Sequence, residues 1–235
     1  MANSTLIFGH RGFPKKFPEN SLEGFYYCLK KGIDGLEFDV HLTKDNIPVI
    51  IHDEKINRTT NGRGKIRSYD YNELEKFSLK NGEKIPTLKD FLKIIENKPV
   101  HLNLEFKTNH FHYPRIEQIV LKLINRTNLI YPVVYSSFNL NSLKIAQSIE
   151  KESEYCFLSG KKIKNIGNFS IKNHLSGFHL KKYQIIKNQK LSERVWTVNN
   201  PKKQRKLFSK KINGLITDDF EMAQKIKQTF FALAA

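Results

Sequence analysis

The chain has 235 residues, 39% of them apolar, and a formal net charge of +17, which suits one large domain or two small ones. Its two cysteines, Cys28 and Cys156, exclude a disulfide framework, and no uninterrupted apolar run is long enough to span a bilayer. The positive charge favours an anionic partner: a phosphate substrate, an anionic membrane surface or a nucleic acid.

Short β-rich runs alternate with amphipathic stretches along the whole chain. In chain order, the predicted strands are Leu6–Phe8, Gly35–Val40, Ile47–Ile51, Val100–Phe106, Val133–Ser136, Glu154–Leu158, Gly177–Leu180, Val195–Val198 and Gly214–Ile216. The predicted helices are Asn20–Lys31, Tyr71–Phe77, Thr87–Glu96, Tyr113–Asn125, Asn139–Lys151, Pro201–Phe208 and Phe220–Gln228. This alternation is typical of a parallel α/β fold, and by itself it leaves a closed (β/α)8 barrel and a doubly wound sheet open.

Local signals predict the organisation of three further features. Asn20 and Glu23, three residues apart, form the pattern of a capping box and predict that the first helix begins there. Residues 54–84 are polar and contain two Asn-Gly turn signals, which predicts an insertion. No linker or low-complexity stretch divides the chain, so we predict a single domain over residues 1–235.

Polar residues that could carry chemistry follow or end several predicted strands. They are His10, Arg11, Glu37, Asp39, His52, Asp53, Glu105 and Lys107. In a (β/α)8 barrel the carboxyl ends of the strands form the active-site rim. We therefore expect these side chains to lie near one another.

The acidic residues predict a candidate metal site. Glu37 and Asp39 are two apart on one strand, so both point to one face, while the intervening Phe38 points to the helix-packed face. With Glu105 they could converge on one hard cation, Mg²⁺ or Ca²⁺. The alternative is a set of ion pairs with lysines at the strand ends, although charged pairs inside an apolar strand are costly without a partner.

Two histidines are candidates for proton transfer. His10 and His52 both follow predicted strands, and imidazole titrates near neutral pH, so either could act as acid or base. Arg11 and Lys107 could neutralise a bound phosphate, or could simply balance the carboxylates. His179, at another strand end, is a weaker candidate for the lining of the pocket.

Other site chemistries are disfavoured. The sequence has no Gly-x-x-x-x-Gly-Lys loop and no Gly-x-Ser-x-Gly elbow, which argues against nucleoside triphosphate use and serine hydrolysis. Neither cysteine has a nearby histidine or cysteine, which argues against zinc.

Several blocks of the sequence resemble one known family. In order, they are GHRGFPKKFPENS (Gly9–Ser21), GLEFDVHLTKDNIPVIIHD (Gly35–Asp53), NRTTNGRG (Asn57–Gly64), LNLEFK (Leu102–Lys107), SSFN (Ser136–Asn139), WTVN (Trp196–Asn199) and GLITDD (Gly214–Asp219). Together they are similar to the glycerophosphodiester phosphodiesterase family. The departures from its pattern are small: Ser21 replaces a usual threonine, and Asn46 a usual glycine.

The resemblance implies a fold, a metal site and residue roles. The fold would be a TIM barrel, (β/α)8, with a small insertion after the second strand, at about residues 54–84. One divalent cation, Mg²⁺ or Ca²⁺, would be held by Glu37, Asp39 and Glu105. The resemblance further assigns His10 and His52 to acid–base catalysis, Arg11 and Lys107 to the substrate phosphate, and Phe138 and Trp196 to the substrate pocket.

The implied function is metal-dependent hydrolysis of small-molecule glycerophosphodiesters to glycerol 3-phosphate and an alcohol. The alternative is a lysophospholipase D or a sphingomyelinase D-like enzyme, which would need an apolar groove in the insertion or rim loops. A nucleic-acid partner is disfavoured, because no element shows clustered basic residues with interleaved aromatics. We expect a cytoplasmic monomer or homodimer with no transmembrane segment and no signal peptide.

Overall fold

A computed structural model describes residues 5–188 and 190–232 of the chain. It contains nine strands: β1 (Leu6–His10), β2 (Gly35–Leu42), β3 (Pro48–Ile50), β4 (His101–Phe106), β5 (Val133–Ser137), β6 (Glu154–Ser159), β7 (Gly177–Leu180), β8 (Ser192–Val195) and β9 (Gly214–Thr217). Its helices are α1 (Leu22–Lys30), α2 (Tyr71–Leu74), α3 (Leu88–Ile95), α4 (Ile116–Ile124), α5 (Leu140–Ile149), α6 (Ile166–Lys172), α7 (Pro201–Ser209) and α8 (Phe220–Ala232).

Eight of the strands close into a parallel barrel. β1 pairs in parallel with both β2 and β9, and the remaining strands follow in the order β9, β8, β7, β6, β5, β4 and β2. The predicted (β/α)8 barrel is therefore confirmed, and the doubly wound sheet is excluded. In this architecture all carboxyl strand ends lie at one rim.

The predicted strand at residues 47–51 is not part of the barrel. It forms β3, which runs antiparallel to β2 and pairs Val40 with Ile50 and Leu42 with Pro48. Residues 54–84 follow this hairpin and contain α2 and two short 3-10 helices, Ile56–Arg58 and Ile66–Ser68. The insertion packs its apolar side chains into a small cluster of its own. The cluster consists of Val49, Ile51, Ile56, Ile66, Leu74 and Ile85, with Tyr69, Tyr71 and Phe77 against it.

Strand β2 shows why the barrel positions polar groups at its centre. All eight of its residues are buried. Leu36, Phe38 and Val40 belong to the main hydrophobic cluster, and the Phe38 ring lies 4.3 Å from that of Phe91 on α3. Because side chains alternate along a strand, the opposite face presents Glu37 and Asp39.

Several predicted boundaries are wrong. Helix α1 is capped by Ser21, whose side chain accepts a hydrogen bond from the Gly24 N–H, so the predicted Asn20–Glu23 capping box is not formed. Asn20 instead has a φ of 58° and turns its side chain towards the barrel. Strand β8 ends at Val195 rather than continuing to Val198, whose N–H donates to the Ile216 carbonyl.

Further differences concern helices. Helix α6 was not predicted, because Gly167 and Asn168 near its start are poor helix formers. Helix α4 begins at Ile116, three residues later than predicted, and the Tyr113 hydroxyl lies 2.9 Å from His41 Nδ1.

The remaining sequence expectations concern the cysteines and membrane spans. Cys28 and Cys156 are both free and buried. Within the described ranges, no helix combines the length and apolar content needed to cross a bilayer.

Candidate active site

A cavity of about 240 Å³ opens among the carboxyl ends of the barrel strands. It is lined by residues that come from seven of the eight barrel strands or from the segments just after them, and by His52, which follows β3. The lining includes His10, Arg11, Glu37, His52, Asn103, Glu105, Phe138 and Trp196. The barrel thus gathers residues as far apart in the sequence as His10 and Ile216.

Three buried carboxylates form a cluster at this cavity. Asp39 on β2 pairs in register with Glu105 on β4, and Glu37 lies two residues before Asp39. Each of the three offers an oxygen atom, and these atoms all lie within 4.8 Å of one another. Their exposed fractions are 7% or less, so water does not screen their mutual repulsion effectively.

The repulsion is visible in the pKa values. Burial, together with the charge of Asp39, raises the pKa of Glu37 well above its usual range. Burial and the same neighbour raise the pKa of Glu105 to about 7, although Lys107 opposes the rise. Burial also acts on Asp39, but the charges of Lys107 and Arg11 outweigh it and lower its pKa. One carboxylate therefore stays ionised, while the other two hold protons more tightly.

Two cations border the carboxylate cluster. Lys107 Nζ lies 2.8 Å from Glu105 Oε1 and 3.5 Å from Asp39 Oδ1. Arg11 Nε lies 3.4 Å from Asp39 Oδ2, and the Arg11 backbone N–H donates to Glu37 Oε2. Arg11 lines the cavity, whereas Lys107 is 5% exposed and lies behind Glu105.

The cluster has the features of a site for a hard divalent cation. Asp39 Oδ1 is buried and has no hydrogen-bond partner among the described residues, and the same holds for Asn103 Oδ1. Although Lys107 Nζ lies 3.5 Å from Asp39 Oδ1, buried oxygen atoms that accept no hydrogen bond are costly, and this favours a ligand at the cluster. The donors are all oxygen and include three carboxylates, a set that suits Mg²⁺ or Ca²⁺.

His10 is held by a carboxylate that directly follows the last barrel strand. Its Nδ1 lies 2.6 Å from Asp218 Oδ1, and Asn199 Nδ2 donates to the other oxygen of Asp218 at 2.6 Å. Asn199 in turn accepts from the Thr217 hydroxyl and from the Asp218 N–H. The bond at Nδ1 leaves Nε2 of His10 as the nitrogen available for proton transfer.

His52 is held in the same way. Its Nδ1 lies 2.6 Å from Asp53 Oδ1, and Arg58 Nε donates to Asp53 Oδ2 at 2.7 Å. The Arg58 guanidinium also donates two hydrogen bonds of 2.7 Å to Glu19. Burial lowers the pKa of His52, and the charges of Lys107 and Arg11 act in the same direction while that of Asp39 opposes them.

Comparisons with known proteins identify the family of the chain. The family model described as the "Glycerophosphoryl diester phosphodiesterase family" matches residues 10–222. The chain belongs to this family. It is 32% identical to a glycerophosphodiester phosphodiesterase of Caldanaerobacter subterraneus subsp. tengcongensis, over 92% of this chain and 95% of the relative. It is 31% identical to one of Bacillus altitudinis, over 95% and 98%.

Solved structures of the family share the fold. A glycerophosphodiester phosphodiesterase of Thermotoga maritima is 29% identical to this chain and superposes with a TM-score of 0.79, over 94% of this chain and 98% of that one. The predicted family is thereby confirmed along with the fold.

The predicted site residues occupy two kinds of position. His10, Arg11, Glu37, His52, Glu105, Phe138 and Trp196 line the cavity, and Asp39 and Lys107 lie directly behind it. The Phe138 and Trp196 rings meet edge to face at 5.6 Å. His179 does not line this cavity: it is fully buried, and its Nε2 lies 3.4 Å from Arg194.

Sequence reasoning missed several residues of the candidate site. Asn103 could have been found from its spacing, since it lies two residues before Glu105 on the same strand and shares its face. Asp218 follows the last barrel strand and fits the rim rule. Glu19 and Arg58 had no such signal, because they meet only through the fold.

Proposed function

We propose that the protein hydrolyses glycerophosphodiesters to glycerol 3-phosphate and an alcohol. One observation carries the proposal: three buried carboxylates offer oxygens within 4.8 Å of one another, and two of them, Glu37 and Glu105, line one cavity with two imidazoles that are each bonded to a carboxylate. Family membership supports the same reaction, because the relatives from Caldanaerobacter and Bacillus altitudinis carry this activity in their names.

In this proposal Glu37, Asp39 and Glu105 hold one divalent cation, Mg²⁺ or Ca²⁺. When bound, the cation supplies positive charge that draws the substrate phosphate into the cavity and offsets charge that builds up in the transition state. Arg11 adds a guanidinium that matches the geometry of phosphate oxygens. Lys107 donates a hydrogen bond to Glu105, and its ammonium neutralises part of the charge on that carboxylate.

His10 and His52 form the proposed acid–base pair. One imidazole accepts the proton of the attacking hydroxyl, and the other donates a proton to the departing alcohol oxygen. Water either attacks the phosphorus directly, or it opens the cyclic phosphate that forms when the glycerol 2-hydroxyl attacks first and the alcohol leaves. Asp218 and Asp53 fix the orientation of the two rings and stabilise each ring when it carries a proton.

The cavity favours a small substrate over a lysophospholipid. Its volume of about 240 Å³ suits a glycerophosphodiester, and Phe138 and Trp196 provide an apolar wall for the alcohol moiety. An acyl chain would need an apolar groove, but Ile66 is fully buried and Tyr69 and Tyr71 pack into the cluster of the insertion. The two free, buried thiols support the expected reducing, cytoplasmic location, and a monomer or homodimer remains our proposal.

A turnover panel tests the proposal. Several glycerophosphodiesters and lysophosphatidylcholine are compared with and without EDTA, and Mg²⁺ or Ca²⁺ is then added back. We expect activity on the glycerophosphodiesters, its loss with EDTA and its recovery with either ion.

Three histidine variants complete this test. His10→Ala and His52→Ala should each lower kcat by about a hundredfold or more. His112→Ala, at an exposed position away from the cavity, is the matched control and should leave turnover unchanged. Full activity in His10→Ala, or activity that EDTA leaves intact, would contradict the proposal.

A further inference from the structure

Two loops at the active-site rim carry positive charge without any acidic residue. Between Glu154 and Glu193 the sequence contains eight lysines and no aspartate or glutamate. All eight of these lysines are exposed, and six of them lie between residues 161 and 187 outside helix α6, in the segments that follow β6 and β7. These six are Lys161, Lys162, Lys164, Lys181, Lys182 and Lys187, which we call the lysine platform.

The two loops form one surface because a glutamine joins them. Gln184 Oε1 accepts from the Ile163 N–H at 3.1 Å, and Gln184 Nε2 donates to the Ile163 carbonyl at 2.8 Å. The Gln184 backbone N–H also donates to Glu193 Oε1 at 2.9 Å. A groove of about 520 Å³ is lined by both loops. The lysines are therefore held on one platform rather than on two independent loops.

No carboxylate compensates the platform. The lysines that form salt bridges within the described part of the chain all lie elsewhere. Glu193, the one acidic residue bonded to these loops among residues 5–188 and 190–232, is 6% exposed and accepts a hydrogen bond from the Gln184 backbone N–H. Uncompensated, exposed ammonium groups at this density attract an extended anionic surface.

An apolar side chain stands among the lysines. Ile185 is 72% exposed, and it lines the groove beside Lys182 and Tyr183. Basic residues around an exposed aliphatic side chain are typical of segments that lie in a membrane interface, where the cations contact anionic headgroups and the aliphatic group enters the acyl boundary. Single-stranded nucleic acid would instead call for exposed aromatic rings on which bases stack, and Tyr183 is partly buried.

The platform lies beside the entrance to the candidate active site. Leu158, near the end of β6, lines the site cavity, and Gly160, two residues later, lines the groove of the platform. We propose that the lysine platform docks the protein on an anionic lipid bilayer, with the active-site rim turned towards the membrane. The docking is independent of the proposed hydrolysis, because it can be measured without turnover.

Vesicle sedimentation of the full chain tests the proposal. Vesicles of phosphatidylglycerol and phosphatidylcholine are compared with vesicles of phosphatidylcholine alone, at low and at high salt. We expect binding to the anionic vesicles only, weakened by salt. The platform variant carries Lys→Gln at 161, 162, 181 and 182, and it should bind more than about a hundredfold more weakly.

A matched variant separates the platform from net charge. Lys→Gln at 89, 98, 144 and 151 removes the same charge from exposed positions elsewhere and should lower vesicle binding by less than about fivefold. Ile185→Ser should weaken the binding that remains at high salt. Both lysine variants should keep the wild-type circular dichroism spectrum and the wild-type turnover of a water-soluble diester.

Three results would overturn the proposal. The first is failure of the wild-type chain to bind anionic vesicles. The second is an equal loss of binding in both lysine variants, which would mean that charge acts diffusely. The third is platform-dependent binding to single-stranded RNA that is tighter than binding to vesicles.

Discussion

Divalent cation binding should tighten as the pH rises from about 6 to about 8. Glu37 and Glu105 must lose their protons to act as ligands, and both have raised pKa values in the metal-free protein. With the pKa of Glu105 at about 7, its ionised fraction changes about tenfold over this range. Glu105 alone should therefore make the apparent affinity about tenfold weaker at the lower pH, and Glu37 acts in the same direction.

The same protons govern the stability of the metal-free protein. A raised carboxyl pKa means that the folded state holds the proton more tightly than the unfolded chain. Stability should therefore fall as the pH rises from 4.5, the ordinary value for Glu105, through about 7. The difference between these values corresponds to about 3 kcal/mol for this fully buried group. Binding of the divalent cation should restore the stability that is lost at high pH.

Titration calorimetry in buffers of different ionisation enthalpy measures both affinity and proton release. We expect about one proton released from Glu105 per ion at about pH 6, and much less at about pH 8. The Glu105→Gln variant should bind the ion weakly, and its affinity should lack the part of the pH dependence that comes from Glu105. Glu193→Gln is the matched control, because Glu193 also has a pKa of about 7 but lies outside the cluster. Equal affinity at both pH values without proton release would refute the reasoning.

Two single substitutions test the carboxylates of Asp218 and Glu193. Asp218→Asn should lower kcat by about a hundredfold with little change in KM, because His10 loses its orienting carboxylate. Asp219→Asn is the neighbouring control. Equal steady-state kinetics of the two variants would contradict this role of Asp218. Burial raises the pKa of Glu193 to about 7, so its ionisation costs stability as the pH rises from 4.5 through that value. Glu193→Gln should therefore raise Tm at about pH 8 and leave it unchanged at about pH 4, and a lower Tm at the higher pH would argue against buried charge at this site.

Local sequence signals account for most of the fold. The alternation of strands and helices predicted the parallel α/β class, because each signal depends on residues close together in the chain. Closure of the barrel depends on β1 pairing with β9, more than 200 positions away, and no local pattern encodes that contact. The antiparallel direction of β3 has the same origin, since an apolar run of a few residues does not show which way its partner runs.

In the candidate site, too, local sequence signals predicted some residues but not the contacts between distant ones. Glu37 and Asp39 could be placed on one face from their spacing. Positions at strand ends indicated His10, Arg11, His52, Glu105 and Lys107, and the resemblance to a family added Phe138 and Trp196. The partner of His10 could not be predicted, because Asp218 lies 208 residues away. The charged surface was missed for a related reason: lysines spread over two loops cluster only when Gln184 joins those loops.

Arg58 couples the insertion to the chemistry of the rim. Its guanidinium bonds both Asp53, the partner of His52, and Glu19, which also accepts a hydrogen bond from Arg11. Replacing this insertion with one from a homologue therefore also replaces the residue that holds Asp53, the partner of the His52 imidazole. Chimeras that keep an arginine at this position should retain their catalytic rate, and loop grafts designed by length alone should lose it.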